Sequence, residues 1–174
     1  MRYFKKFFLI FSIILIQQNI VLADTPYFLD FKLILNESEA GKKAQKYLKN
    51  KLENGIKNLK SKEKKLLEEE KKIISQKKIL APEEYKKKVS DLRSKVSKLQ
   101  QDRNALLESV AKQRSKARNE LLKNLNPLIQ EYMNEKKIRM VVDKKSLLLA
   151  DENLNITKDI MSLLNKKLKS VSLE

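Results

Sequence analysis

Cysteine, histidine and tryptophan are absent from the chain; glycine occurs only at Gly41 and Gly55, and proline three times. Each absence removes a class of chemistry. Without cysteine there are no disulfides and no thiolate metal sites. Without histidine there is no imidazole ligand and no nucleophile activated by an imidazole base. Two isolated glycines cannot write a phosphate-cradling loop or a dinucleotide fingerprint. Carboxylate pairs such as Glu69 and Glu70 exist, but a long exposed helix offers no pocket that excludes water. The reading is therefore not an enzyme, with no cofactor and no metal. Acid is also in short supply, 22 Asp and Glu against 39 Lys and Arg, a net charge of +17.

What is present is helix former in long, nearly unbroken runs. Between Lys42 and Pro82, Leu52, Leu59, Leu66, Ile73 and Leu80 recur every seven residues among Lys, Glu and Asn. That gives one narrow apolar stripe, as in a coiled coil. After Pro82 an alternating four-three spacing runs through Tyr85, Val89, Leu92, Val96 and Leu99, then resumes at Leu106 and Val110. Proline lacks the donor a helix interior needs and disfavours helix at Ala81, whereas Glu83 and Glu84 suit a new first turn. The two runs thus form a helical hairpin over residues 42–126 with its tip near 79–84. At about 1.5 Å per residue the first arm alone would reach roughly 58 Å, too long to lie inside a small domain, so it projects.

Residues 1–23 have the pattern of a cleaved export signal: Arg2, Lys5 and Lys6, an apolar run at 7–16, then Val21, Leu22 and Ala23. The run is shorter than the roughly 20 residues that span a bilayer, which disfavours an uncleaved anchor. Export predicts a mature chain beginning at Asp24.

The remaining segments, 24–41 and 127–174, make a small α/β body. The dense apolar run of residues 27–35 predicts a strand in its first half that hands over directly to the arm. Asn126 and Pro127 predict a kink or restart. Ile138, Arg139, Met140, Val141 and Val142 predict a strand that turns at residues 143–145 and pairs with Leu147, Leu148 and Leu149. Asn155 or Thr157 caps a last helix whose apolar face is Ile160, Leu163, Leu164, Leu168 and Val171. Roughly fifty residues rarely bury enough to stand alone, and their strand edges would be open. Association of copies through Phe28, Leu29, Val141, Val142 and Leu148 removes both problems.

Without the signal the net charge is +14, of which residues 42–80 carry +9 and 83–137 carry +6. Such a face is either simple solvation or attraction for an anionic partner. The seam residues are expected to zip the arms together. Apolar side chains off the seam, Leu67, Ile74, Ile79 and Leu107, with the lysines Lys77, Lys78, Lys86, Lys87 and Lys88, are the candidate client-binding residues. Nucleic acid is not expected as a physiological partner, because no aromatic residues interleave the lysines for base stacking and the chain is exported.

The layout resembles the Skp/OmpH periplasmic chaperones. The residues that carry this are Phe28-Leu29-Asp30, the stretch Asn36-Glu37-Ser38-Glu39-Ala40-Gly41-Lys42-Lys43-Ala44-Gln45, Gln101-Asp102-Arg103, Val141-Val142-Asp143, Ala150-Asp151, and Asn155-Ile156-Thr157-Lys158-Asp159-Ile160. The resemblance implies a mainly α chain with a small β body: a homotrimer in which three coiled-coil tentacles project from a β-barrel-like body and enclose a cavity. It further implies an ATP-independent holdase for unfolded outer-membrane proteins. An exported basic coiled coil that binds anionic surfaces, whether lipopolysaccharide, lipid headgroups or nucleic acid, is the alternative. The lipopolysaccharide site proposed in that family uses adjacent arginines where this chain has Asn104-Ala105-Leu106-Leu107, so that site is not carried over.

Overall fold

The computed structural model describes residues 25–173, and the expected export segment lies outside them. Strand β1 (Tyr27–Leu29) is followed by helix α1 (Phe31–Glu37), the arms α2 (Glu39–Ser75) and α3 (Pro82–Lys136), strand β2 (Val141–Asp143) and helix α4 (Thr157–Lys167). The expected hairpin is therefore present. Pro82 is the first helical residue of α3, with Ala81 extended before it and Glu83 and Glu84 in the first turn. The arms run deeper than residues 42–126, because their base turns, from Glu39 and up to Lys136, are built into the body.

Three local expectations are corrected. First, β1 does not hand over directly to the arm. Asp30 starts a separate helix, its Oδ1 accepting from the Leu33 amide at 2.8 Å. Phe31, Ile34 and Leu35 then share a helical face against the core, so the dense apolar run has a period near 3.6 after its first three residues. Ser38, fully buried, closes α1 and caps α2, its Oγ accepting from Gly41 N at 3.2 Å.

Second, β2 does not form a hairpin with residues 147–149. It pairs parallel with β1, in the register Tyr27 with Val141, Phe28 with Val142 and Leu29 with Asp143. Parallel neighbours need a long crossover, and here the whole projecting hairpin is that crossover. The turn expected at 143–145 becomes a 3₁₀ turn, Lys144–Ser146, capped by the Asp143 side chain. Leu148 and Leu149 are left fully exposed.

Third, α3 does not restart at Pro127. The missing N–H is tolerated because Leu125, Leu128 and Ile129 on the same turns are buried in the body. The helix ends instead at Lys137, in the left-handed region at φ 56°, where Ile138 N donates back to Met133 O at 2.8 Å.

The body core joins Leu29, Ile34, Leu121, Leu125, Ile160 and Leu164, so β1, α1, α3 and α4 meet around one apolar centre. Polar groups are satisfied locally. Thr157 Oγ1 accepts from Asp30 N at 2.9 Å and donates to Asn155 Oδ1, which ties α4 to the start of α1. Helix α4 carries Ile160, Leu163 and Leu164 inward as expected; Leu168 and Val171 reach the core from beyond its end.

Candidate functional site

About midway along α2 the arms touch closely. Gly55 lies directly against Leu106: a Cβ built there would stand 2.5 Å from Leu106 Cδ2. Lys51 Nζ reaches across to Ser109 Oγ at 3.0 Å and Gln113 Oε1 at 2.9 Å. Gly55 is thus a seat for a side chain of the other arm.

Farther out the joint becomes ionic. Lys62 Nζ lies 2.6 Å from Asp102 Oδ2, Lys98 approaches Asp102 Oδ1 at 3.5 Å, and Lys95 Nζ meets Glu69 Oε1 at 2.6 Å. The hydrogen bond from Lys62 holds the Asp102 carboxyl below its ordinary pKa, helped by the charges of Lys62 and Lys98. Alongside these clamps and on towards the tip the arms flank an open cavity of about 680 Å³, walled by Leu66, Ile73, Tyr85, Val89, Leu92 and Val96 and edged by Glu63, Glu70 and Arg93. The seam is consequently not a continuous zipper. Leu59 and Ile73 are buried, but Val96 is 51% exposed, so at this level the stripe faces a gap as well as the other arm.

The candidate client-binding residues fall into place unevenly. Leu67 and Ile74 are exposed and line the same cavity, and Ile79 stands 83% exposed in the tip turn. Lys77 and Lys78 flank it in that turn, with Lys86 and Lys87 on the first turns of α3; these four make no ion pair. Lys88 approaches Glu84 only at 3.9 Å. Leu107 is exposed but set apart, next to Leu106 and therefore level with Gly55, some 18 Å nearer the body than Leu67 at about 1.5 Å per residue. At the base a second groove, about 770 Å³, runs over Leu48 and Leu52 between Lys42, Lys46 and Lys49 on one arm and Arg114 and Arg118 on the other. It was not legible in advance, because its two basic rows come from helices that antiparallel packing alone aligns.

The residues expected to join copies also divide. Phe28 and Leu29 are 2% and 0% exposed within the single chain. Val141 and Val142 are half-buried in β2, whereas Leu148 is fully exposed. Leu149, next to it in the chain, and Met140, just before β2, are also exposed and were not among the expected residues. Among the described residues no helix is long and apolar enough to cross a membrane and no acidic cluster could hold a metal ion.

The OmpH-like outer membrane protein family matches residues 27–164, which is most of the chain. The chain belongs to the OmpH-like family. No curated protein sequence matches it. Among solved structures, one from Caulobacter crescentus CB15, described as that of an OmpH-like outer membrane chaperone, is similar with a TM-score of 0.79 and 20% identity over 85% of this chain and 89% of that one. At that identity the likeness is one of fold. The OmpH-like match covers β1, both arms, β2 and α4 almost to its end, and leaves residues 165–174 outside it.

Proposed function

We propose that this OmpH-like chain is a periplasmic holdase that keeps unfolded outer-membrane proteins from aggregating, acts without ATP, and works as a homotrimer. The observation that carries the reading is the distal half of the hairpin, where the exposed Leu67 and Ile74 line an open cavity and the exposed Ile79 stands in the tip turn beside the unpaired Lys77 and Lys78. Such a surface makes many shallow contacts and no tight one. Holding by several arms through effective concentration needs no bond chemistry and no nucleotide. The exposed Leu148 and Leu149 and the half-buried β2 are the part of the body left for association with other copies. The export segment at 1–23 supplies the route to the client compartment.

The test is aggregation of urea-diluted porin, followed by light scattering with the signal-free protein present. Suppression at stoichiometric trimer without nucleotide is the expected result; continued precipitation at several-fold excess refutes it. A second reading, adhesion to anionic surfaces, is favoured by the two basic rows edging the groove at the base. It expects sedimentation with vesicles of anionic phospholipid that disappears at high salt, with no effect on porin aggregation.

A further inference from the structure

Beyond α4 the chain folds back over the base of the hairpin. Lys169 Nζ donates to Glu39 Oε1 at 3.0 Å, and Gln113 Nε2 donates to the Leu173 carbonyl at 2.6 Å. Leu173 is 6% exposed and packs with Ala44, Leu48, Val110 and Ala117, while Val171 is half-buried. Ser170 and Ser172 face outward, so this tail has the two-residue alternation of an extended chain.

Its seat is built by the arms. Ala44 on α2 and Ala117 on α3 are small, leaving a depression between the helices. The Gln113 amide is oriented from the other side, because its Oε1 accepts from Lys51 and its nitrogen therefore points at the tail. An open groove of about 370 Å³ runs beside the seated tail, between Lys43, Tyr47 and residues 171–173.

We infer that this seat is a binding subsite for extended segments with alternating apolar and polar side chains, and that residues 168–173 are its resident, displaceable occupant. The seat reads a backbone carbonyl through Gln113 and one inward apolar side chain. Both features are common to any such segment, and a strand of an unfolded outer-membrane barrel has the same alternation. The inference rests on the holdase reading, since it names a place on the chain where such a client is held. While the tail is seated, the apparent affinity for a competing segment falls in proportion to the fraction of open seats, so the tail is inhibitory.

The experiment uses the full signal-free protein and a fluorescein-labelled ten-residue peptide of alternating tyrosine and serine, followed by polarisation. Leu173→Asp withdraws the tail's anchor and leaves the seat intact; it is expected to tighten peptide binding roughly tenfold. An unlabelled peptide with the sequence of residues 168–174 is expected to displace the probe from both proteins. If Leu173→Asp binds no tighter while retaining the parent's helical circular dichroism, the inference is overturned. Should that variant lose its fold, displacement from the parent decides alone, and failure of the tail peptide to displace overturns it. Porin aggregation is measured alongside: suppression by the parent without tighter binding by the variant refutes the subsite only, and absence of suppression by the parent refutes the holdase reading.

Discussion

Gly41 is the residue whose replacement tests the body packing most directly. A Cβ at this position would lie 2.1 Å from the Leu35 carbonyl oxygen and 3.0 Å from both the Leu35 carbonyl carbon and Ser38 Oγ. The first contact is with backbone, so no side-chain rotation relieves it, and α1 must move from α2 by about 0.9 Å to reach even the 3.0 Å that real Cβ contacts do not undercut. That movement strains Ser38, whose Oγ caps α2 through the Gly41 amide from a fully buried position. Overpacking of this kind costs about 1–3 kcal/mol, and loss of the cap adds about 1 kcal/mol. The better helix propensity of alanine returns at most ~1 kcal/mol. Gly41→Ala is therefore expected to destabilise by about 1–3 kcal/mol net. The assay is urea unfolding followed at 222 nm, with protein concentration held fixed because association would otherwise shift the midpoint. A midpoint equal to or above the parent's, with an unchanged slope, refutes the close approach of α1 and α2.

Other outcomes follow from single contacts. Gly55→Ala meets the movable end of Leu106 rather than backbone, so the same unfolding assay should show a smaller loss than Gly41→Ala; a larger loss refutes the seat. Lys137→Gly relieves a left-handed φ of 56° that costs an L-residue about 1–2 kcal/mol, partly offset by glycine's greater unfolded freedom. The midpoint should rise, and a fall contradicts the assigned cap. The Asp102 carboxyl is held low chiefly by its hydrogen bond from Lys62, so its contribution is present above the ordinary carboxylate range and lost as pH falls through its lowered value. Spin-label distances between the arms should widen on acidification in the parent, and Asp102→Asn should already be wide at neutral pH. Burial, together with the hydrogen bond to Asp159 at 2.7 Å, pushes Tyr132 up to about 12. Its stabilising effect is full below pH 10 and fades as pH rises towards 12, so Tyr132→Phe should remove the last step in an ultraviolet titration of the tyrosines.

The corrections share a cause. The apolar run at 27–35 contains both a strand and a helix, because its first three residues pair with β2 while Phe31, Ile34 and Leu35 turn one helical face inward. Composition does not separate these; the Asp30 cap and the partner strand do. The pairing of residues 138–142 with 147–149 is the local choice, but the buried edge offered by Phe28 and Leu29 is 114 residues away in the register Phe28 with Val142 and still prevails. Those two residues are legible as important, and within the single chain they are buried. Pro127 illustrates the converse, a local breaker overridden by the burial of Leu125, Leu128 and Ile129.

The sequence by itself determined the hairpin, its tip, its seam and its basic charge, because these depend on spacing within one helix and on where proline stands. It also determined the exclusions, since absent cysteine and histidine leave no structure in which their chemistry operates. Tertiary structure alone decided which strand pairs with which, where the arms part to leave a cavity, which lysines find acids, and that Gln113, Ala44 and Ala117 form a seat for Leu173. The physical reason is separation along the chain. A helical period repeats every few residues and is written locally, whereas a contact between residues 44, 113 and 173 exists only once the antiparallel arms have set the register that brings them together.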